Sequence, residues 1–281
     1  MPRVVVIGDI GGHLDQLNWA LRSVGAHGDP LTLPDGVVVV QVGDLVDRGP
    51  DSIGVLYLVD QILDRQPQQW VQLAGNHEAQ YLPGQSMFWP EPLDADGVTT
   101  LSRWWDKGQM NVATAVATDG GDEYLLTHAG LTVGAWQSIG EPMTASTAVW
   151  RLNDHPPVIW RGPETPEQVG AGPLWAEAGT ELHESWMDYY SRGGMVPYGQ
   201  IHGHSSIVDY KSQTWHVPGR IRQRAAVDWD TRHFRVRVGG RVFIGVDPKH
   251  GRHGAPEWKP LILHNAAILT APAATARDAP R

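Results

Sequence analysis

The sequence predicts an α/β fold in which buried strands end in polar loops, and three observations carry that expectation. RVVVIGD (residues 3 to 9), GVVVVQVGD (36 to 44), QWVQLAGNH (69 to 77) and EYLLTHAG (123 to 130) are short apolar runs that each stop at Gly, Asp, Asn or His, and YGQIHGH (198 to 204) is a weaker fifth. Near-continuous apolar runs of this length suit strands buried on both faces. Between them, LDQLNWALRSVG and DSIGVLYLVDQILDR have the spacing of crossover helices. Toward the end, FRVRVGGRVFIGVD carries Gly239-Gly240 at its centre, a strong hairpin signal.

Taken in order, the first run delivers Asp9 to a loop before the first helix, and the second delivers Asp44, Asp47 and Arg48 before the second. The third ends on Asn76 and His77. The segment from about 80 to 110 lacks the strand pattern and is expected to cover the site with helices and loops, as is the Trp- and Pro-rich segment from about 131 to 197. Between them the fourth run presents His128, and after them the fifth presents His204. Antiparallel strands from residue 225 close a single domain spanning residues 1 to 264, and the Ala-rich residues 265 to 281 are expected to be a mobile tail.

Composition narrows the function. With 281 residues the chain can bury a substantial core, and its 32 Gly and 21 Pro describe a loop-rich globular protein. A formal charge of -9 argues against a nucleic-acid backbone as partner. The absence of Cys excludes thiolate metal sites, disulfides and cysteine nucleophiles. No segment approaches a membrane span or a signal-peptide core, so a cytoplasmic protein without membrane contact is expected.

Ligands of α/β sheets bind beyond the carboxyl ends of the strands. There the sequence collects Asp9, Asp44, Asp47, Arg48, Asn76, His77, His128 and His204. Oxygen and nitrogen donors without sulfur suit Mn, Fe or Zn. A pair of such ions about 3.5 to 4 Å apart needs one bridging carboxylate and separate ligands on either side. Asp44 is the candidate bridge, with Asp9 on one ion and Asn76, His128 and His204 on the other.

The series GDIGGH, GDLVDRG, GNHE, THAGL and GHSS resembles the calcineurin-like metallophosphoesterases, and most closely their phosphoprotein phosphatase branch of bacterial type. The resemblance implies a four-layer α/β/β/α sandwich and two divalent ions, Mn foremost with Fe or Zn as alternatives. It also implies hydrolysis of phosphate monoesters, a serine/threonine phosphoprotein among them, by a metal-bridging hydroxide. His77 would be the general acid, held by Asp47, and Arg48 would grip the phosphoryl oxygens. Dinucleoside tetraphosphate hydrolysis is the rival activity; a phosphate-binding relic without catalysis is the rival of another class.

The chain departs from the family's pattern twice. Ala74 stands where protein phosphatases of this branch carry a second phosphate-binding arginine, and Arg103, Arg151 and Arg161 are the candidates to replace it. Gly11 stands where the family has its first-metal histidine. The spacing into the following helix is kept, so His13, freed by Gly11 and Gly12, is expected to reach the first metal directly or through water. Its alternatives are to begin the helix or to bind substrate phosphate. His204 takes the second metal in the Gly203-His204 frame, which Ser205, Ser206 and Ile207 continue; in a His-x-His frame His202 would take that ion and His204 the first.

Overall fold

A computed structural model describes residues 2–162, 170–251 and 257–269. The apolar runs form β1 (Arg3–Ile7), β2 (Val37–Gln41) and β3 (Trp70–Leu73), separated by α1 (Leu14–Ser23) and α2 (Ser52–Arg65). After the short α3 (Asn76–Ala79) and α4 (Ala95–Asp106) come β4 (Met110–Asn111), β5 (Ala113–Thr118) and β6 (Glu123–Thr127). Helices α5 (Val133–Ser138), α6 (Ala145–Asn153) and α7 (Glu184–Ser191) precede β7 (Gly199–His202). The remaining elements are β8 (Val208–Asp209), β9 (Thr214–Trp215), α8 (Gly219–Arg222), β10 (Ala225–Asp228), β11 (His233–Val238), β12 (Arg241–Gly245), β13 (Leu261–His264) and β14 (Ala266–Ile268).

The strands divide between two main sheets. One has the order β13-β1-β2-β3-β4, parallel except for β13, and the other has the order β10-β11-β12-β7-β6-β5-β14. The Gly239-Gly240 turn joins β11 to β12 with Val238 opposite Arg241, both glycines at positive φ. Strand alternation then assigns the layers. Val5 and Ile7 pack outward with Leu17 and Leu21 of α1 and Val55 and Val59 of α2. Val4 and Val6 face inward, meeting Val116, Leu126, Ile201 and Ile244 of the other sheet. The far side of that second sheet buries Trp136, Leu152 and Trp186 from α5, α6 and α7. The result is the four-layer α/β/β/α sandwich, in which both sheets are covered on both faces. Each fully buried Val, Leu or Ile stabilises this arrangement by about 1.5–3 kcal/mol relative to exposure.

Part of the segment expected to be a tail forms a strand. Ala266–Ile268 pair antiparallel with β5 as the edge strand β14, and Ala266 is buried. Small side chains bury little area, but a sheet edge supplies backbone partners that a composition argument does not count. Residues 270–281 lie outside the described residues.

Candidate metal centre

The loops after β1, β2 and β3 interlock before any side chain is considered. Ile10 and Gly11 donate their N–H groups to the Asp44 carbonyl at 2.9 and 2.8 Å, and Gly12 donates to Leu45 at 2.7 Å. Glu78, fully buried, receives the N–H groups of Asp44, Leu45 and Gly75, each at 2.7 Å. These bonds hold Asp44, Asp47 and Arg48 in left-handed backbone conformations (φ 56, 67 and 59) that such residues rarely adopt. Gly75 is required, because a Cβ there would lie 2.2 Å from Asp44 Oδ1. Asp51 caps α2 by accepting from Gly54 at 2.7 Å, which leaves the Asp47 carboxylate for the site.

The structure brings Asp44, Asn76, His128 and His204 to one point. His128 Nε2 lies 3.0 Å from Asn76 Oδ1, 3.2 Å from His204 Nδ1 and 3.4 Å from Asp44 Oδ1. His128 Nδ1 is 3.0 Å from the Val42 carbonyl and donates to it, so Nε2 carries a lone pair. It faces the oxygens of Asn76 and Asp44, which are acceptors as well. Converging acceptors repel unless a cation sits among them, so this donor set fits a divalent ion. Burial pushes the His204 imidazole down to about 3 and also lowers that of His128, leaving both in the neutral form that ligates metal. Burial works against an ionised Asp44, but positive charge on His77 and Arg48 acts the other way and favours the carboxylate. Its Oδ2 is buried without a hydrogen-bond partner.

Beside this point, His77 Nδ1 meets Asp47 Oδ2 at 2.8 Å. Asp47 is itself fixed by Gln80 Nε2 at 2.7 Å and by the Tyr81 hydroxyl at 2.9 Å. The other ring nitrogen, Nε2, is 3.1 Å from Arg48 Nη2 and 4.0 Å from Asp44 Oδ2. Burial opposes a charge on His77, yet Asp44 and the Asp47 hydrogen bond raise its pKa above the ordinary value. Phe88 and Trp89 meet the His77 ring edge-on at 5.0 and 5.1 Å, and Trp175 reaches both Phe88 (5.3 Å) and His204 (6.3 Å), forming an aromatic wall.

Two sequence expectations differ from the structure, and one alternative falls away. His13 does not join the donors: its Nε2 is 2.9 Å from the Gly251 carbonyl and its ring meets His250 edge-on at 5.0 Å. Gly11 and Gly12, at φ 51 and 70, curl the chain so that His13 becomes the residue capping α1, with its side chain against the C-terminal loop. His202 is also apart, with Nδ1 3.0 Å from the Gly203 carbonyl and its ring packed on Phe234 and His183. The arginines of the covering segments are committed elsewhere, Arg103 to Asp60, Arg151 to the Ile139 and Gly140 carbonyls, and Arg161 to the Gly170 carbonyl.

Glu78, Asp247 and Lys249 are the residues that sequence reasoning overlooked. Asp247 is buried where the loop after β12 meets the loop after β1. Burial, Asp247 and Asp44 together push the Asp9 carboxyl well above the usual range. Burial opposes an ionised Asp247 in turn, but Lys249, with Nζ 3.2 Å from Asp247 Oδ2, keeps its pKa low. The signal was present: FIGVD ends an apolar run in the same way as VVVIGD.

Comparison with known proteins agrees with this geometry. The calcineurin-like phosphoesterase pattern matches residues 2–215, and the chain belongs to that family. The serine/threonine-protein phosphatase PP1-1 of Saccharomyces cerevisiae is 29% identical over 129 residues, 46% of this chain and 39% of that protein. Shewanella-like protein phosphatase 2 of Arabidopsis thaliana is 31% identical over 86 residues, 29% of this chain and 22% of that protein. The matches thus span less than half the length of these relatives. Among solved structures, a cold-active protein-tyrosine phosphatase of a psychrophilic Shewanella is alike in fold, with a TM-score of 0.54, 19% identity and coverage of 94% of this chain and 76% of that one.

Proposed function

We propose that the protein is a metal-dependent hydrolase of phosphate monoesters. The observation that carries this reading is that Asn76, His128 and His204 donor atoms lie 3.0–3.2 Å from one another, with Asp44 Oδ1 3.4 Å from His128, next to the His77–Asp47 pair. Asp44, Asn76, His128 and His204 would hold one divalent ion, and Asp9 with Asp44 would begin a second site. Two such ions, Mn foremost, supply an activated water and neutralise charge on a phosphoryl group.

The chain's own residues account for the rest. Arg48 donates its Nη2 to His77 Nε2, which requires an unprotonated nitrogen. An arriving phosphoryl group offers Arg48 better acceptors, and a bidentate fork suits them. Once Arg48 turns to substrate, His77 Nε2 is free to carry a proton. The Asp44 charge and the Asp47 hydrogen bond favour that protonated form, which gives the proton to the leaving oxygen. A relic that merely binds phosphate has no need of the Asp47, Gln80 and Tyr81 scaffold that orients this ring.

The aromatic wall of Phe88, Trp89 and Trp175 favours substrates carrying a ring, so dinucleoside tetraphosphate hydrolysis stands as the second reading. The test is turnover of an aryl phosphate, a phosphopeptide and a diadenosine tetraphosphate by protein stripped and reloaded with Mn. Hydrolysis of the aryl phosphate that stops in chelator is expected; equal rates with and without chelator would sink the metal-dependent reading.

A further inference from the structure

We infer that Asp247 is the ligand that replaces the missing histidine of the first metal site, so that the first ion is held by Asp9, Asp44 and Asp247; this rests on the two-ion reading above. The loop bearing Asp247 is clamped to the loop bearing Asp9 on both sides. Gly8 lies so close to it that a Cβ there would be 2.1 Å from the Val246 carbonyl and 3.1 Å from Pro248 Cδ. Two residues on, His250 Nδ1 is 3.1 Å from the Ile10 carbonyl. Asp9 and Asp247 therefore sit on adjoining loops at the ends of β1 and β12, in different sheets, near enough for the Asp247 charge to act on Asp9; without an ion, the compact donor group among the described residues is Asp44, His128 and His204, and the acids stand further apart. The Val246 N–H group, bonded to the His202 carbonyl at 2.8 Å, ties the same loop to the strand leading to His204.

The cluster is more than an accumulation of acids. Asp44, the shared member, is fully buried, and its Oδ2 is left without a hydrogen-bond partner. Asp9 and Asp247 are also buried, at 6% and 4% exposure. Three buried carboxylates destabilise one another unless cations share the region. The protein's own contribution is Lys249, whose ammonium lies 3.2 Å from Asp247 Oδ2, and Arg48, 3.9 Å from Asp44 Oδ2. Lys249 borders solvent, its side chain 41% exposed, so its ammonium has a route out of the region. A divalent ion bound by the three carboxylates would displace it. Hard oxygen donors suit Mn or Mg in that position better than the imidazole they replace.

The test is isothermal titration of the full chain, stripped with chelator, with Mn, together with metal content after dialysis. The wild type is expected to bind two ions and Asp247→Asn one, the retained ion at wild-type affinity. Lys249→Met is expected to bind two, the weaker one on the order of tenfold more tightly, because the competing ammonium is gone. Lys249 is a surface side chain, so this variant decides the matter even where Asp247→Asn fails to fold. Two ions at unchanged affinity in Asp247→Asn, or unchanged affinity in Lys249→Met, would overturn the assignment while leaving the two-ion reading intact. Fewer than two ions in the wild type would overturn both.

Discussion

The two halves of the metal centre are built on opposite electrostatic terms. In one half, the neutral donors Asn76, His128 and His204 lie 3.0–3.2 Å from one another around a single carboxylate. In the other, Asp9, Asp44 and Asp247 are all acids, and among the described residues the compact donor group is Asp44, His128 and His204 without Asp9. Neutral donors can be pre-assembled by packing and by hydrogen bonds such as His128 to Val42, at modest cost. Buried carboxylates cannot be brought to contact without a cation, because their repulsion grows as the local dielectric falls. With Gly11 where the family has a histidine, the proposed first-metal half depends on the second kind of construction.

Asp44 belongs to both halves, and its removal is the severest test of the comparison. Asp44→Asn is expected to lower turnover of an aryl phosphate by about 10³-fold or more and to weaken both ions together. Loss of only one ion would show that the halves are independent. Next in size, His77→Ala is expected to keep the metal content and cost about 10² to 10⁴ in kcat on a poor leaving group, with a smaller loss on an activated aryl phosphate. Equal losses on both substrates would remove His77 from the acid role.

Stability tests the scaffold beneath the two halves. Glu78→Ala strands the N–H groups of Asp44, Leu45 and Gly75 in the interior, and with a net value of about 1 kcal/mol per bond the expected loss is about 3 kcal/mol of unfolding free energy in chelator. Denaturant titration that shows no change would mean the loops hold their left-handed turns without it.

The neutrality of the imidazoles predicts a pH effect. Burial pushes His183 and His204 down to about 3, and His202, His233 and His250 to about 4, all below the ordinary 6.5. Between those values the unfolded chain binds more protons than the folded one. The stability they contribute is therefore complete above about pH 6.5 and lost as pH falls. Glu78, raised to about 7 by burial and Asp44, runs the other way, as does Asp9. His128 and His155 are lowered as well, while the raised His77 sides with the carboxylates; the lowered imidazoles outnumber the raised groups, so in chelator the melting temperature is expected to fall from pH 7.5 to 5.5, and a rise would show that the raised groups dominate. The smallest effect concerns His13. His13→Ala is expected to leave Mn stoichiometry unchanged and to cost about 1 kcal/mol through the lost bond to Gly251. Loss of an ion would restore His13 to the first site and remove the asymmetry altogether.

Much of this molecule is determined locally. The runs ending at Asp9, Asp44, Asn76, His128 and His204 declare themselves because a strand buried on both faces must be apolar and must stop where polar groups meet the sheet edge. The helices between them follow from spacing alone, as does the Gly239-Gly240 hairpin. Other features exist only across the chain. The division of the strands into two sheets depends on which face each run buries, and Val4 and Val5 look alike in sequence although they enter different cores. Glu78 is unremarked in GNHE until the N–H groups of Asp44 and Leu45, from the loop after β2, join that of Gly75 at its carboxylate. Asp247 and Asp9 are far apart in sequence, and only the clamp of Gly8 on Val246 and of His250 on Ile10 makes them neighbours. Conversely, His13 is near Asp9 in sequence and is turned away by two left-handed glycines, because the direction of a side chain is decided by backbone dihedrals and packing and not by the number of residues between two positions.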